Sequence, residues 1–376
     1  MRIALLYASA GQGHQKAAES LGEAFKACGI PNEEIFLGDS LDDTPPWFKT
    51  LYTSIYFYSV KYTPRLWGAS YDWAENSFLY QRFIGPFRRL LNSGVAEKLV
   101  RRIKAMNPDA VVCTHFLAPE LLGRLKVSGF ISSFLLSVVT DFVPHAFWIN
   151  SGTDHYWVMS EEGKQILERR GIPSTRITAG GIPISLRFKP QGKKREFRKK
   201  EGLREDLFTL LLTSGSFGLG PTVEVLEALS DFGDKIQALV VCGRNQDLLQ
   251  TLEAKRFPFH AKLYGFVSHM DELMEASDLM VAKPGGITTS ESLAKGLPMV
   301  VLNPIPGQEA GNARLLKERN AAFFLGEPGD IRTIVKGILD YPEVLVEKQR
   351  EIERLAKPDA ALEIARFVLN RIKKRT

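Results

Sequence analysis

Residues 2–39 read RIALLYASAGQGHQKAAESLGEAFKACGIPNEEIFLGD. An apolar run of strand length comes first and breaks at a turn carrying Gly11 and Gly13. A stretch with apolar residues at helical spacing follows, and a second strand-like run closes at EIFLGD. Strand, glycine turn, helix and strand in that order describe a parallel βαβ unit, whose helix carries the chain back over the sheet. The opening apolar run is too brief, and too soon followed by glycine, for a secretory signal. It is expected to be a buried first strand.

The alternation continues outward through DAVVCTH, FLLSVVTD and HYWVMS, and then stops at ISLRFKPQGKKREFRKKEGLRE, which is rich in charge and poor in apolar periodicity. It restarts with FTLLLTSGSFG, KIQALVVCG, KLYGFV, DLMVAKP and PMVVLN. Two α/β domains are therefore expected, 1–186 and 204–356, joined by a solvated linker at 187–203. From Pro358 onward, Leu362, Ile364, Ala365, Val368, Leu369 and Ile372 recur at helical spacing, which predicts a terminal amphipathic helix over 357–376. A chain of 376 residues has material for two cores.

Hydrophobic residues at 44% and charged residues at 24% exclude a disordered chain. The longest apolar run, Phe130 to Val139, is too short to span a bilayer. Cys28, Cys113 and Cys242 lie far apart with no metal-ligand spacing, as expected of reduced cysteines in a cytoplasmic protein, and no metal site is expected. A net charge of +6 favours anionic partners. The basic run KKREFRKK belongs to no nucleic-acid motif and reads as a solvated hinge, so no nucleic-acid partner is expected.

One region departs from the α/β rhythm. Residues 45–91 crowd aromatic side chains among basic ones. Two readings stand: ordinary core, or a membrane-interface surface where Trp and Tyr sit at headgroup depth and Arg82, Arg88, Arg89, Arg101 and Arg102 meet anionic lipid.

Ligands of open parallel sheets bind beyond the carboxyl ends of the strands, and each loop of interest lies at such an end. In SAGQGHQK, the glycines admit close approach of a ligand to a helix N-terminus, although the spacing is not that of the dinucleotide fingerprint. His14 at that helix start is disfavoured as imidazolium and is a candidate base; a capping role is the alternative. In SVVTDFVPHAFW, Asp141 and His145 can orient or deprotonate a hydroxyl, or serve as turn cap and surface ring. In the second half, TSGSFG offers hydroxyls and N–H groups to phosphate, VVCGRN ends the next strand, and YGFV can set backbone against a flat base. KPGGITTSE (283–291) follows with Gly285 and Gly286 for close approach, Thr288 and Thr289 at a helix start, and Glu291 in its first turn, where it suits a neutral hydroxyl pair better than phosphate. PGQEAGN (306–312) places Gln308 and Glu309 at the next junction.

Together GQGH, KPGGITTSE and PGQEAGN resemble the diacylglycerol glycosyltransferases, a family that includes plant-type monogalactosyldiacylglycerol synthases and bacterial processive diacylglycerol glucosyltransferases and is related to the peptidoglycan enzyme MurG. The resemblance implies a GT-B fold, two facing Rossmann-like domains with the terminal helix returning to the first. It implies a UDP-hexose donor in the second domain, with backbone at Phe266 and Val267 on uracil, Glu291 on the ribose, and Gly285 to Thr289 with Ser216 on the diphosphate. Gln308 and Glu309 would hold the hexose. Ser214, Gly215, Gly243, Arg244, Asn245, Lys283, Pro306, Gly307 and Asn312 complete the donor set.

The first domain would bind diacylglycerol or a related lipid through Gly11, Gly13, His145 and Trp148, at an anionic membrane surface to which the protein attaches peripherally. Transfer would invert the anomeric centre without metal or cofactor, with His14 as base and Asp141 as second candidate or its partner. Two other readings remain: a UDP-N-acetylglucosamine transferase acting on a polyprenyl-linked or other lipid, and a catalytically silent nucleotide-sugar-binding regulator.

Overall fold

The computed structural model describes residues 1–9, 11–63, 65–66, 68–69, 73, 97–215, 218, 220–302 and 304–374, excepting the side chains at 56, 60, 61 and 308. The chain forms two compact units. One comprises Met1–Leu186, Ile305–Gly311 and Lys357–Thr376, and the other Arg187–Pro304 and Asn312–Ala356.

The first unit is built on β1 (Ile3–Tyr7), β2 (Ile35–Asp39), β3 (Ala110–Cys113), β4 (Phe134–Val138), β5 (His155–Val158) and β6 (Ile177–Ala179). They pair in parallel in the order β2-β1-β3-β4-β5-β6. The second unit repeats the plan with β7 (Phe208–Thr213), β8 (Ile236–Val241), β9 (His260–Tyr264), β10 (Leu279–Ala282), β11 (Met299–Val301) and β12 (Ala322–Phe324), ordered β12-β11-β10-β7-β8-β9. These pairs are parallel too. Each chain path starts mid-sheet, runs to one edge, then jumps back beside its first strand. The strand order therefore reverses between β1 and β3 and between β7 and β10. Loops diverge at such a switch point and leave a crevice beyond the strand ends, where ligands of open α/β sheets bind.

Both faces of the first sheet are covered, which is why its strands read as continuous apolar runs. Ile3 and Leu5 of β1 face Leu21 and Phe25 of α1 (Gln12–Ala27) together with Ile364, Val368 and Ile372 of the terminal helix Ala360–Lys373. Ala4 and Leu6, one step out of phase, face Leu41, Leu99, Ile103, Leu117 and Leu121. The terminal helix thus packs on the first sheet, as the resemblance implied. Cys113 and Cys242 are free, buried core residues, and burial raises both thiols, Cys242 to about 11.

The basic segment 187–203 is not the solvated linker expected. Its short helix, Lys194–Lys200, fits the expectation of at most a short helix there, but the segment packs as part of the second unit. Arg198 is buried, with Nη2 2.6 Å from Asp278 Oδ2 and Nε donating to the Ala276 carbonyl. Gln191 and Lys193 donate backbone N–H groups to Glu275, and Lys200 pairs with Glu272. Its charge answers carboxylates about eighty residues later in the chain.

The aromatic region divides in two. Along α2 (Pro46–Tyr62), Phe48 and Tyr52 pack against the core, whereas Trp47, Leu51, Ile55, Tyr58 and Tyr62 are exposed at helical spacing on one face. Arg82, Arg88 and Arg89 lie outside the described residues. Arg101 pairs with Glu97 and Arg102 with Asp43.

Candidate active site

In the first unit, the switch point collects the ends of β1, β3 and β4. Gly11 caps α1 with φ +113°, a conformation closed in practice to residues with a side chain, and Gly13 continues into the first turn. This places His14 three residues into the helix, beneath the strand ends. Its Nδ1 lies 2.7 Å from the Thr114 carbonyl oxygen and 2.9 Å from the Thr140 hydroxyl. Because a carbonyl can only accept, Nδ1 carries the proton and Nε2 is the basic nitrogen. Thr114 grips the same residue twice, since its hydroxyl donates to the His14 carbonyl at 2.8 Å. The His115 ring meets the His14 ring edge-on, with centroids 4.6 Å apart.

Burial pushes the His14 imidazole down to about 4, and the Thr114 carbonyl opposes that shift only in part. Desolvation, rather than the helix dipole to which the sequence reading pointed, is the main cause of its neutrality. Thr114, Thr140 and His115 escaped the sequence reading, because hydroxyls and a histidine at strand ends belong to no motif. Their signal was positional: THF and VTD each follow a strand that flanks the switch.

Asp141 is buried beside Thr140 and accepts from the Trp148 indole N–H at 3.4 Å. The groups on His14 Nδ1 are thus the Thr114 carbonyl and Thr140 hydroxyl, in the place a carboxylate partner would occupy. Trp148 was expected to contact the acceptor. It is a core residue at 1% exposure, packed with Val139, Tyr156 and Val158, and it steadies Asp141 instead. His145 is buried as well, not the surface ring of the alternative reading, and accepts the Phe147 N–H at its Nδ1 as the cap of a short 3₁₀ turn.

In the second unit, the β7–β10 switch gathers the glycine turn after β7 and the KPGG turn after β10. The helix Gly286–Ala294 starts behind Gly285 with neither a side-chain cap nor an acidic residue in its first turn, leaving its N–H groups to a ligand. Thr289 Oγ1 is buried there without a hydrogen-bond partner, which a native fold rarely tolerates without a ligand or water. Thr288 is half-buried beside it. Glu291 lies one turn further along than expected and is buried, away from the positive helix end.

The neighbouring loops are partly self-engaged. Ser214 pairs with the Thr222 hydroxyl, and Gly215 takes φ +69°. Ser216 lies outside the described residues. Gly243 turns the chain after β8 with φ +62°, the exposed Arg244 guanidinium stands 5.8 Å from the Phe266 ring centroid, and Phe266 is 59% exposed, with Val267 half-buried behind it. Lys283 is half-buried at the end of β10.

Pro306 and Gly307, the latter at φ +81°, make the turn before helix Gln308–Glu318. Glu309 Oε2 accepts the Ile305 N–H at 2.8 Å and so shapes this turn. Asn312 is fully buried, and its Nδ2 donates to the Pro284 carbonyl at 2.8 Å. The last residue of PGQEAGN is thereby tied to KPGG. Among the described residues, no three His, Cys, Asp or Glu side chains gather as a metal-ligand set.

Two doubly wound parallel sheets, each with a glycine turn at its switch point, make this an α/β protein of the GT-B fold. The structure of MurG from Acinetobacter baumannii superposes with a TM-score of 0.64 at 16% identity, covering 98% of this chain and 99% of that one. A UDP-GlcNAc 2-epimerase from Neisseria meningitidis bound to UDP-GlcNAc gives 0.62 at 13% identity, over 98% and 100%. At those identities the likeness is one of fold alone.

Sequence narrows it further. Residues 14–184 match the monogalactosyldiacylglycerol (MGDG) synthase family, and residues 209–361 match the glycosyltransferase family 28 C-terminal domain. A processive diacylglycerol beta-glucosyltransferase of Bacillus pumilus is 29% identical over 94% of this chain and 91% of its own length. Along most of its length the chain is thus similar to lipid-glycosylating transferases of these two families.

Proposed function

We propose that the protein transfers a hexose from a UDP-sugar to the free hydroxyl of diacylglycerol or a glycosyl-diacylglycerol, at a membrane surface, with inversion and without a metal ion. The observation that carries this is His14: a buried, neutral imidazole whose Nδ1–H is fixed on a backbone carbonyl, leaving Nε2 as acceptor at the first unit's switch point. In the reaction, Nε2 takes the acceptor's hydroxyl proton as its oxygen bonds to the anomeric carbon. The bond from that carbon to the UDP oxygen breaks on the opposite face. The charge left on the diphosphate falls to the uncapped N–H groups at Gly286–Thr288 and to the glycine turn after β7. The Thr114 carbonyl steadies the imidazolium formed.

Glucose is the favoured hexose, supported by the glucosyltransferase named for the similar Bacillus pumilus protein. Inversion of an α-linked UDP-glucose yields the β-glucoside which that name describes. The membrane part of the reading is supported by the exposed Trp47, Leu51, Ile55, Tyr58 and Tyr62 face of α2, since Trp and Tyr favour the headgroup region. Among the described residues, no helix is long and apolar enough to cross a membrane.

A screen of UDP-glucose, UDP-galactose and UDP-N-acetylglucosamine against diacylglycerol, glucosyl-diacylglycerol and polyprenyl-linked acceptors, with products identified by mass spectrometry, tests the reading. Glucosylated diacylglycerol is the expected product. Transfer confined to polyprenyl-linked acceptors, or firm UDP binding without turnover on any pair, would overturn it.

A further inference from the structure

The described residues of the turn after β7 include three glycines in a conformation that only glycine adopts readily. Gly215, Gly218 and Gly220 adopt φ of +69°, +61° and +145°, all in the region that favours glycine, and glycine loses the most conformational entropy on ordering. Among its described residues, the Gly218 N–H reaches the Gly215 carbonyl at 3.2 Å and the Gly215 N–H reaches the Thr213 hydroxyl at 3.4 Å. Something outside must fix it if it is to present N–H groups to a diphosphate without a large ordering cost.

Asn245 meets that need. Its Oδ1 accepts the Leu248 N–H at 2.9 Å as the cap of helix Gln246–Glu253, and its Nδ2 donates to the Gly218 carbonyl at 2.9 Å. Both ends of the amide are therefore engaged within the protein. The two turns lie in direct contact: a Cβ built on Gly218 would stand 2.3 Å from Asn245 Cβ and 2.7 Å from the Cys242 carbonyl. On its other side, the 242–245 turn joins the YGFV loop, through the Cys242 N–H to the Tyr264 carbonyl at 2.8 Å and through Arg244 over the Phe266 ring. One side chain thus links the glycine turn to the loops on the nucleobase side.

We propose that Asn245 is a positioning residue that straps the diphosphate turn to the nucleobase loops, and that it touches no part of the donor itself. This rests on the reading of the cradle as a UDP-sugar site. The strap sets the distance between base and phosphate contacts, so its loss should weaken the phosphate contribution selectively and leave nucleoside binding alone.

Asn245→Ser separates the two duties. Serine caps a helix about as well as asparagine and adds no charge beside the diphosphate, but its side chain is too short to reach the Gly218 carbonyl. Inhibition constants for uridine and for UDP, with KM for the UDP-sugar and Tm, should be measured on wild type, Asn245→Ser and Asn245→Thr. The expected result is an unchanged Tm and uridine constant, a UDP constant weakened about tenfold, and a KM raised in parallel with little change in kcat. Equal weakening of uridine and UDP, or no weakening of either, would overturn the strap. A wild-type chain that binds neither ligand would overturn the donor reading, and the strap with it.

Discussion

Acidification from pH 7 to pH 5 separates a buried His14 base from an ordinary histidine. With its imidazole held at about 4, His14 remains about nine-tenths neutral at pH 5, whereas an unperturbed imidazole of pKa 6.5 would be neutral in only about 3% of molecules. Since kcat/KM follows the free enzyme, it should fall by no more than about a tenth at pH 5, against a roughly thirtyfold loss for the unperturbed case. The assay is kcat/KM for the donor between pH 4 and 8 at constant ionic strength, with folding followed by circular dichroism at each point. A limb centred near 6.5 would refute the desolvated, carbonyl-pinned base. A carboxylate base also titrates near 4, so His14→Ala decides between them: a normal rate with the same limb would move the role to Asp141.

Further consequences concern stability and surfaces. His14 and His155 are both pushed down to about 4, His14 by burial and His155 by burial reinforced by Arg371 and Arg176. The unfolded chain therefore binds more protons between about pH 6.5 and 4, and stability falls as pH falls through that window, by at most roughly 3 kcal/mol per histidine. The urea midpoint should drop from pH 7 to pH 5, and one that rises would contradict the burial of both rings. Arg198→Met should cost about 2 kcal/mol by chemical denaturation, because it removes the buried guanidinium's bonds to Asp278 and to the Ala276 and Glu205 carbonyls, while Asp278 keeps Lys194 and the Thr209 N–H; a cost under about 0.5 kcal/mol would restore the free linker. Trp47→Ser with Tyr58→Ser should weaken sedimentation with phosphatidylglycerol vesicles while leaving Tm unchanged, and unaltered sedimentation would remove α2 from the membrane surface.

Much of this architecture is legible in the sequence, for a physical reason. Strands buried on both faces, such as AVVC at 110–113, must be continuously apolar, and the glycines that turn the chain at each switch point cannot be disguised. What escapes notice depends on partners remote in sequence. Arg198 reads as solvent-facing until Asp278, eighty residues away, closes on it. Trp148 looks like a ligand wall until Tyr156 and Val158 enclose it, and the bonds of Asn245 and Asn312 to the carbonyls of Gly218 and Pro284 leave no trace in the sequence. The orientation of His14 is set by a main-chain carbonyl, which has no letter of its own in a sequence.

Single-turnover transfer of radiolabelled glucose from UDP-glucose to diacylglycerol vesicles by wild type and His14→Ala, with UDP affinity measured by calorimetry on both, puts the central claim to the most direct test. Loss of the general base should slow formation of the glycolipid by about a hundredfold to ten-thousandfold while leaving the UDP Kd unchanged. Near-normal transfer by His14→Ala, or loss of transfer matched by an equal loss of UDP affinity, would contradict it.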